Sequence, residues 1–353
     1  MRITQSMMSR GYVNRMSRNL QNLSASNNRM ASQMKYTRIS DNTAEVSRAF
    51  AVREQLYRND QYTTNIKTAE GILDSAEGNL QTLNSALNNV TDRLLQADTG
   101  SMSDNERKLI AHEILGLQQQ VMQISNAQYG DQYLFAGSGK GNEAPFNVGA
   151  DGKLMYNGYP VDDLAVNPAT GNPAEFKALD PAKPDDKTWV DIKYNKEIFV
   201  DIGLGMTVSG TGVDAALDEK SAMKISTSGL SAFGFGKNAD GVPSNMYSLL
   251  GKIANDMTSG NFTEMDKDLS HIKNVSDTLL LGITDVGTRS KFLEDTWNKL
   301  DSESIVLKTA QQKLESAPLE EEAIYNKTYE TSWMITLQLG SKLIPPSIFD
   351  FLR

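Results

Sequence analysis

The 353-residue chain contains no cysteine, which excludes disulfide staples, thiol catalysis and cysteine-based metal sites together. It has only two histidines, His112 and His271, far apart in sequence, a poor inventory for acid–base catalysis. Aromatic residues make up 7% and hydrophobic residues 39%, with a mean hydropathy of −0.42. That balance suits an elongated, surface-rich protein better than a compact enzyme. No stretch approaches the roughly 18 consecutive apolar residues that a membrane span needs. The opening MRITQSMMSRGYVNRM lacks the continuous apolar segment of a cleaved secretory signal. A net charge of −9 argues against general nucleic-acid binding, which relies on clustered lysine and arginine.

What the chain does have is helical periodicity at both ends, on a length that suits two or three domains. The series Ile66, Ala69, Leu73, Ala76, Leu80, Leu83, Leu87, Val90, Leu94 alternates steps of three and four, one apolar stripe on a long helix. Gly100 ends it, and Ser103-Asp-Asn-Glu106 opens the next helix as a capping box. That helix carries Ile110, Ile114, Leu117, Val121 and Ile124, and the short link predicts an antiparallel hairpin. Downstream, Phe262, Met265, Leu269, Ile272, Ser276, Leu279, Ile283 and Val286 keep the same rhythm, continuing through Leu293, Trp297, Leu300 and Leu307 to Leu314. Pro318 stops it.

Between these helices the text changes. Residues 138–247 hold 14 of the 26 glycines and 7 of the 10 prolines. Short β-type runs such as Trp189–Tyr194 and Glu197–Ile202 alternate with turn signals at Asp151-Gly152, Asn157-Gly158 and Asp240-Gly241. The expected fold class is mainly α with an inserted β-rich domain: a long antiparallel helix bundle built from both chain ends, with terminal helical arms. The expected domains are 1–40 with 318–353 as coiled-coil-like inner arms, 41–137 with 248–317 as the bundle, and 138–247 as the outer insert.

The first forty residues contain seven basic residues and no acidic one. Their apolar positions, Met16, Leu20, Leu23, Met30 and Met34, are polar-interrupted and lack tryptophan, so a partner helix fits them better than a membrane surface. Pro318-Leu-Glu-Glu-Glu322 starts a C-terminal helix with carboxylates at its positive end. Ile324, Thr328, Ile335, Leu339 and Leu343 form its stripe before Pro345-Pro346, and the apolar ending from Ser347 to Arg353 asks for a docking surface. Burial of five or six side chains per arm does not offset the entropy of ordering about thirty residues. The arms are therefore expected to be unordered in an isolated chain and to fold as copies pack.

No catalytic constellation emerges. His112-Glu113 lacks the second histidine of a zinc-protease helix, since Gly116 stands there. Asp162-Asp163 and Asp185-Asp186 read as solvated turns rather than acid/base pairs. Gly203-Leu-Gly205 and Gly210-Thr-Gly212 do not make a phosphate loop. Trp297 and Trp333 read as packing residues. The stretch Gln128-Tyr-Gly-Asp-Gln-Tyr-Leu-Phe-Ala-Gly137 marks the change of architecture. Tyr129 and Gly130 are expected to end the second helix, and Tyr133, Leu134 and Phe135 to cap the bundle tip. Leu134 and Phe135 should be buried there, with Gly137 turning the chain.

Six stretches in order carry a resemblance: Met1–Met7, Arg38-Ile-Ser-Asp-Asn-Thr-Ala44, Asn65–Gly71, Glu113–Leu117, Val286–Ser290 and Pro318–Ala323. With Tyr133-Leu-Phe-Ala-Gly137 they make the chain similar to the flagellin family over roughly 1–137 and 260–353. The Tyr133–Gly137 stretch is more like the subunits of the hook–filament junction than those of the filament. Ser332-Trp-Met-Ile335 is bulkier than the family pattern, and Pro345-Pro346 departs from it.

The resemblance implies a structural subunit with no enzymatic activity, cofactor or metal. It implies self-assembly into a ring through the terminal helices, export without signal cleavage, and an extracellular place on the bacterial flagellum. The implied partners are copies of itself, another junction protein, the filament flagellin, and an export chaperone on the C-terminal arm. Two other readings remain open: a filament-forming flagellin, and an adhesin whose insert binds glycans through Tyr156, Tyr159 and Trp189.

Overall fold

The computed structural model describes residues 5–98, 103–139, 143–180, 182–209, 216–218, 221–260 and 265–343. Gly100, the Gly210-Thr-Gly212 run, Phe262, Pro345-Pro346 and the ending from Ser347 to Arg353 lie outside the described residues. Among the described residues seven α-helices run in chain order: α1 (Gln5–Ser32), α2 (Thr43–Asp98), α3 (Asp104–Ser125), α4 (Gly229–Phe233), α5 (Met246–Ser259), α6 (Met265–Glu315) and α7 (Leu319–Leu343). Two compact units result, one from Met1–Asp60 with Asp301–Arg353 and one from Gln61–Leu300. The division falls inside α2 and α6.

In the Gln61–Leu300 unit the nine-residue stripe of α2 is buried throughout, from Ile66 to Leu94. Against it α6 contributes Leu269, Ile272, Leu279, Val286, Leu293 and Leu300. Val275, not Ser276, is the buried residue of its turn, as the 3.6-residue helix drifts from a strict heptad. Ser290 Oγ donates to Asp74 Oδ1 at 2.9 Å, and Glu77 approaches Gly287, so α2 and α6 run antiparallel. α3 returns along α2: Arg107 donates to the Ala97 carbonyl, and Arg93 pairs with Glu113 at 3.2 Å. Its start is the expected capping box, with the Ser103 hydroxyl accepting from the Glu106 amide and Glu106 accepting from Ser103 N–H.

The periodicity reading did not include α5. Asn245 caps it by accepting from Tyr247 N–H, and Gly260 closes it in the left-handed conformation. Its buried face of Met246, Leu249, Leu250, Ile253, Ala254 and Met257 packs on α3, where Gln118 Nε2 donates to the Tyr247 carbonyl at 3.0 Å.

The β segment consists of short antiparallel pieces. β1 (Gln128–Tyr129) pairs with β2 (Gln132–Tyr133). One three-stranded sheet is β3 (Phe146–Val148), β4 (Leu154–Tyr156) and β5 (Tyr159–Pro160); a second is β6 (Leu164–Val166), β7 (Pro173–Asp180) and β8 (Lys183–Asp191). β9 (Phe199–Val200) pairs with β12 (Met223–Lys224), and β10 (Val208–Ser209) with β11 (Ala216–Leu217). This segment shares one buried cluster with α2, α3, α5 and α6. Phe135 meets the Phe233 ring edge-on at 4.9 Å, and Phe146 lies against both Phe233 and Tyr156.

Because Phe135 is fully buried at the meeting of helices and strands, Phe135→Ala should destabilise the Gln61–Leu300 unit by about 3–5 kcal/mol. Chemical denaturation followed by circular dichroism would read this. A midpoint unchanged from wild type would mean the aromatic cluster does not join the two parts.

Candidate assembly interface

The stretch 128–137 differs from its sequence reading. α3 ends at Ser125, and Asn126 is its C-cap, so Tyr129 and Gly130 do not close the helix. They belong to a hairpin with Gly130-Asp131 as a two-residue turn and Gly130 at φ 59°, the geometry that favours glycine first. The Gly-Asp pair was the available signal, hidden by the helical repeat before it. Tyr133 is half-buried, while Leu134 and Phe135 are buried, so the latter two are held by core packing and not offered to a partner.

Gly137 (φ 62°) has the Tyr194 and Lys196 carbonyls and Asn195 Cα within 3.3 Å of where a Cβ would stand. It lines a cleft of about 580 Å³. In its wall Asn195 Oδ1 accepts from both Tyr156 and Ser228 hydroxyls.

The proposed glycan face does not form. Tyr156 is fully buried, and Trp189 packs on Phe176 across β7 and β8 at 4.8 Å. Asp185 and Asp186 sit exposed on strand β8, not in a turn. Asp163 accepts from Lys153 at 2.8 Å and lies 3.4 Å from Lys237, which holds its carboxyl below the usual range. Burial pushes Asp162 the other way. His112 is exposed, and His271 accepts at Nδ1 from Asn238 at 2.8 Å. Among the described residues no group of three or more His, Asp or Glu could hold a metal, and no helix is long and apolar enough to cross a membrane.

The arms carry the surface of interest. α1 and α7 pack antiparallel along a seam that carries several polar contacts. Tyr12 donates to the Thr336 carbonyl at 2.9 Å, and Asn19 to the Thr336 hydroxyl at 2.8 Å. Ser26 and Arg29 both donate to Glu322, with Arg29 Nε at 2.8 Å, and Asn326 donates to Asn27. Gly340 faces the Tyr12 ring so closely that a Cβ would overlap its hydroxyl.

This seam uses positions 322, 326, 336 and 340, a different helical phase from the stripe read in the sequence. Ile324, Ile335 and Leu339 are exposed, as are Met334 and Leu337. On α1 and just beyond it, Leu20 and Met34 are exposed, and Met16, Leu23 and Met30 are half-buried. Leu343 closes α7, but its side chain lies outside the described residues. The intrachain pairing thus leaves Ile324, Ile335 and Leu339 of α7 exposed.

An elbow joins α1 to α2. Lys35 N–H donates to the Glu315 carbonyl and Ala317 N–H to the Gln33 carbonyl. Asp41 accepts from the Thr37 and Arg38 amides. Asn42 accepts from Glu45 N–H and so begins α2. These bonds account physically for the Arg38–Ala44 stretch singled out in the sequence.

Two measurements follow from this geometry. Glu322→Ala strands the Ser26 hydroxyl and the Arg29 guanidinium at a mostly buried position, costing about 1–3 kcal/mol. Limited proteolysis of α1 should accelerate by roughly five-fold or more, whereas exposed Glu321→Ala should change little. Burial raises the Tyr156 phenol above its ordinary value of 10.0. Its contribution is therefore fully present below about pH 10 and is lost as pH rises beyond it. Denaturation midpoints of wild type should fall above about pH 10, and this alkaline loss should be smaller in Tyr156→Phe.

Residues 3–140 match the bacterial flagellin N-terminal helical region. Flagellar hook-associated protein 3 of Escherichia coli is 30% identical over 109 residues, 31% of this chain and 34% of that protein. The protein of the same name from Salmonella typhimurium is 27% identical over 124 residues, 35% of this chain and 39% of that one. The matched segments thus span little more than a third of these relatives' length. In fold, the chain is similar to a Vibrio parahaemolyticus structure described as a flagellar hook-associated protein. That likeness has a TM-score of 0.57 at 16% identity and covers 78% of this chain and 100% of the other. Over its N-terminal helical region the chain is thus similar to bacterial flagellins, and the relatives it resembles there bear the name flagellar hook-associated protein 3.

Proposed function

We propose that this chain is a structural subunit of the bacterial flagellum. It forms a ring at the hook–filament junction by self-assembly of its terminal helices and links the hook side to the filament. The observation that carries the reading is the phase of α7: its hydrogen bonds to α1 use Glu322, Asn326 and Thr336, and Ile324, Ile335 and Leu339 are left exposed, as are Leu20 and Met34 of the N-terminal arm. Large apolar residues that their own chain leaves uncovered on one helix are a surface for other chains. Coiled-coil-like packing of such stripes between neighbouring copies would place the arms innermost, the helix bundle next and the 138–247 segment outermost.

The same exposed stripe is the surface an export chaperone would cover on the C-terminal arm before assembly. Passage through the flagellar export apparatus in unfolded form, to an extracellular place, suits a cysteine-free chain whose arms are joined by polar contacts. The neighbours on the two faces would be another junction protein and the filament flagellin. The junction reading is favoured over a filament-forming flagellin by the two relatives named for a hook-associated protein. Packing of Tyr156 and Trp189 against their neighbours weighs against the adhesin.

Deleting the gene in its flagellated host should leave hooks without filaments and release flagellin into the medium. The unaltered gene should restore filaments, whereas the Leu20→Asp, Leu339→Asp double variant should not, although its monomer should keep wild-type helicity. Normal filaments in the deletion strain would reject the junction role.

A further inference from the structure

At the elbow between α1 and α2 lies an apolar groove of about 210 Å³, lined in part by Met34, Ile39, Val46, Phe50 and Leu314. A cavity of about 150 Å³ is enough to admit a benzene-sized group, so this one accepts an aliphatic side chain. Its lining is also offered to solvent: Ile39 is 60% exposed and Phe50 48%. The rim is cationic. Arg53 is engaged by Glu315 at 2.6 Å, but Arg38 is exposed and has no ion pair among the described residues.

The first turn of α7 has the complementary character. Leu319 is 46% exposed, and Glu320 and Glu321 beside it are exposed without an ion pair among the described residues. An apolar knob flanked by two carboxylates matches an apolar hole flanked by a free guanidinium. The chain cannot fill its own groove with this turn. Ala317 is tied to Gln33 through its amide, α7 begins two residues later, and Leu319 is not among the groove's lining residues.

We propose that the Met34–Phe50 groove receives the Leu319-Glu320-Glu321 turn of a second copy of this chain, with Arg38 pairing with its carboxylates. Groove and knob are different surfaces of one molecule, so the contact is heterologous. Repeated copy to copy, it propagates and closes a ring or continues as a helix, whereas stripe packing alone leaves the stagger between copies open. The inference rests on the assembly reading above and adds to it a defined contact outside the apolar stripes.

The absence of native cysteine makes the test direct. The full-length Ile39→Cys, Leu319→Cys double variant, concentrated and oxidised, should give a disulfide-linked ladder. An equal mixture of the two single variants should give linked dimers that contain one of each. Arg38→Glu on the double-cysteine chain should reduce the ladder at least ten-fold, and adding Glu320→Arg with Glu321→Arg should restore it. No ladder, a disulfide closed within one chain, or only like-with-like dimers would overturn the groove contact. A ladder insensitive to charge reversal would overturn the role of Arg38. If Leu20→Asp with Leu339→Asp abolishes assembly while the groove variants do not, the assembly reading stands and this contact falls.

Discussion

The phase of α7 against α1 is the constraint on which the proposed assembly surface depends. A helix has one face to give to an intrachain partner, and here that face carries Glu322, Asn326, Thr336 and Gly340 with the half-buried Tyr329 and Trp333. Glu322 takes two donors from α1, and Gly340 lets the Tyr12 ring approach. These contacts fix register without using Ile324, Ile335 or Leu339. Partly buried polar pairs of this kind add modest net stability, but they are costly to misalign. The result is a hairpin of defined alignment and limited strength, with its hydrophobic side unspent.

The Gln61–Leu300 unit follows the opposite logic. There the apolar faces of α2, α3, α5 and α6 turn inward, and the polar contacts between helices sit at the periphery, as with Ser290 on Asp74 and Arg93 on Glu113. The two regions of this chain therefore divide the available hydrophobic burial. One uses it to make a stable body from a single copy, and the other withholds it. A protein that must exist as a monomer and later join an array has reason to separate these uses.

The long helices were legible because burial leaves a period in the sequence. Nine residues from Ile66 to Leu94 announce a helix and its inner face without reference to anything else. α5 was harder, since its 14 residues are short and follow glycine-rich text. Its signals, Asn245 before the apolar run and Gly260 after it, are caps and not a period. The hairpin at 128–133 was concealed by continuity: a helical rhythm up to Ile124 invites extension, and only the Gly130-Asp131 pair argues against it. On α7 the period marks the stripe of Ile324, Ile335 and Leu339, and the structure leaves these residues exposed. Periodicity identifies an apolar stripe, but cannot say whether the same chain or another covers it. That depends on whether a second, polar face has a better-fitting intrachain partner, which here is spread over Tyr12, Asn19, Ser26 and Arg29.

The single buried cluster that runs from the bundle into the strands through Phe135, Phe146 and Phe233 also has a mechanical meaning. An outer segment hung from a flexible linker would swing under drag and pass little load to its support. Here the aromatic contact replaces the linker, so a sideways force on the strands becomes a bending moment on α3 and α5 instead of a rotation about a joint. Within this unit the β segment is a lever keyed into its mount, and its stiffness is set by how tightly three rings pack.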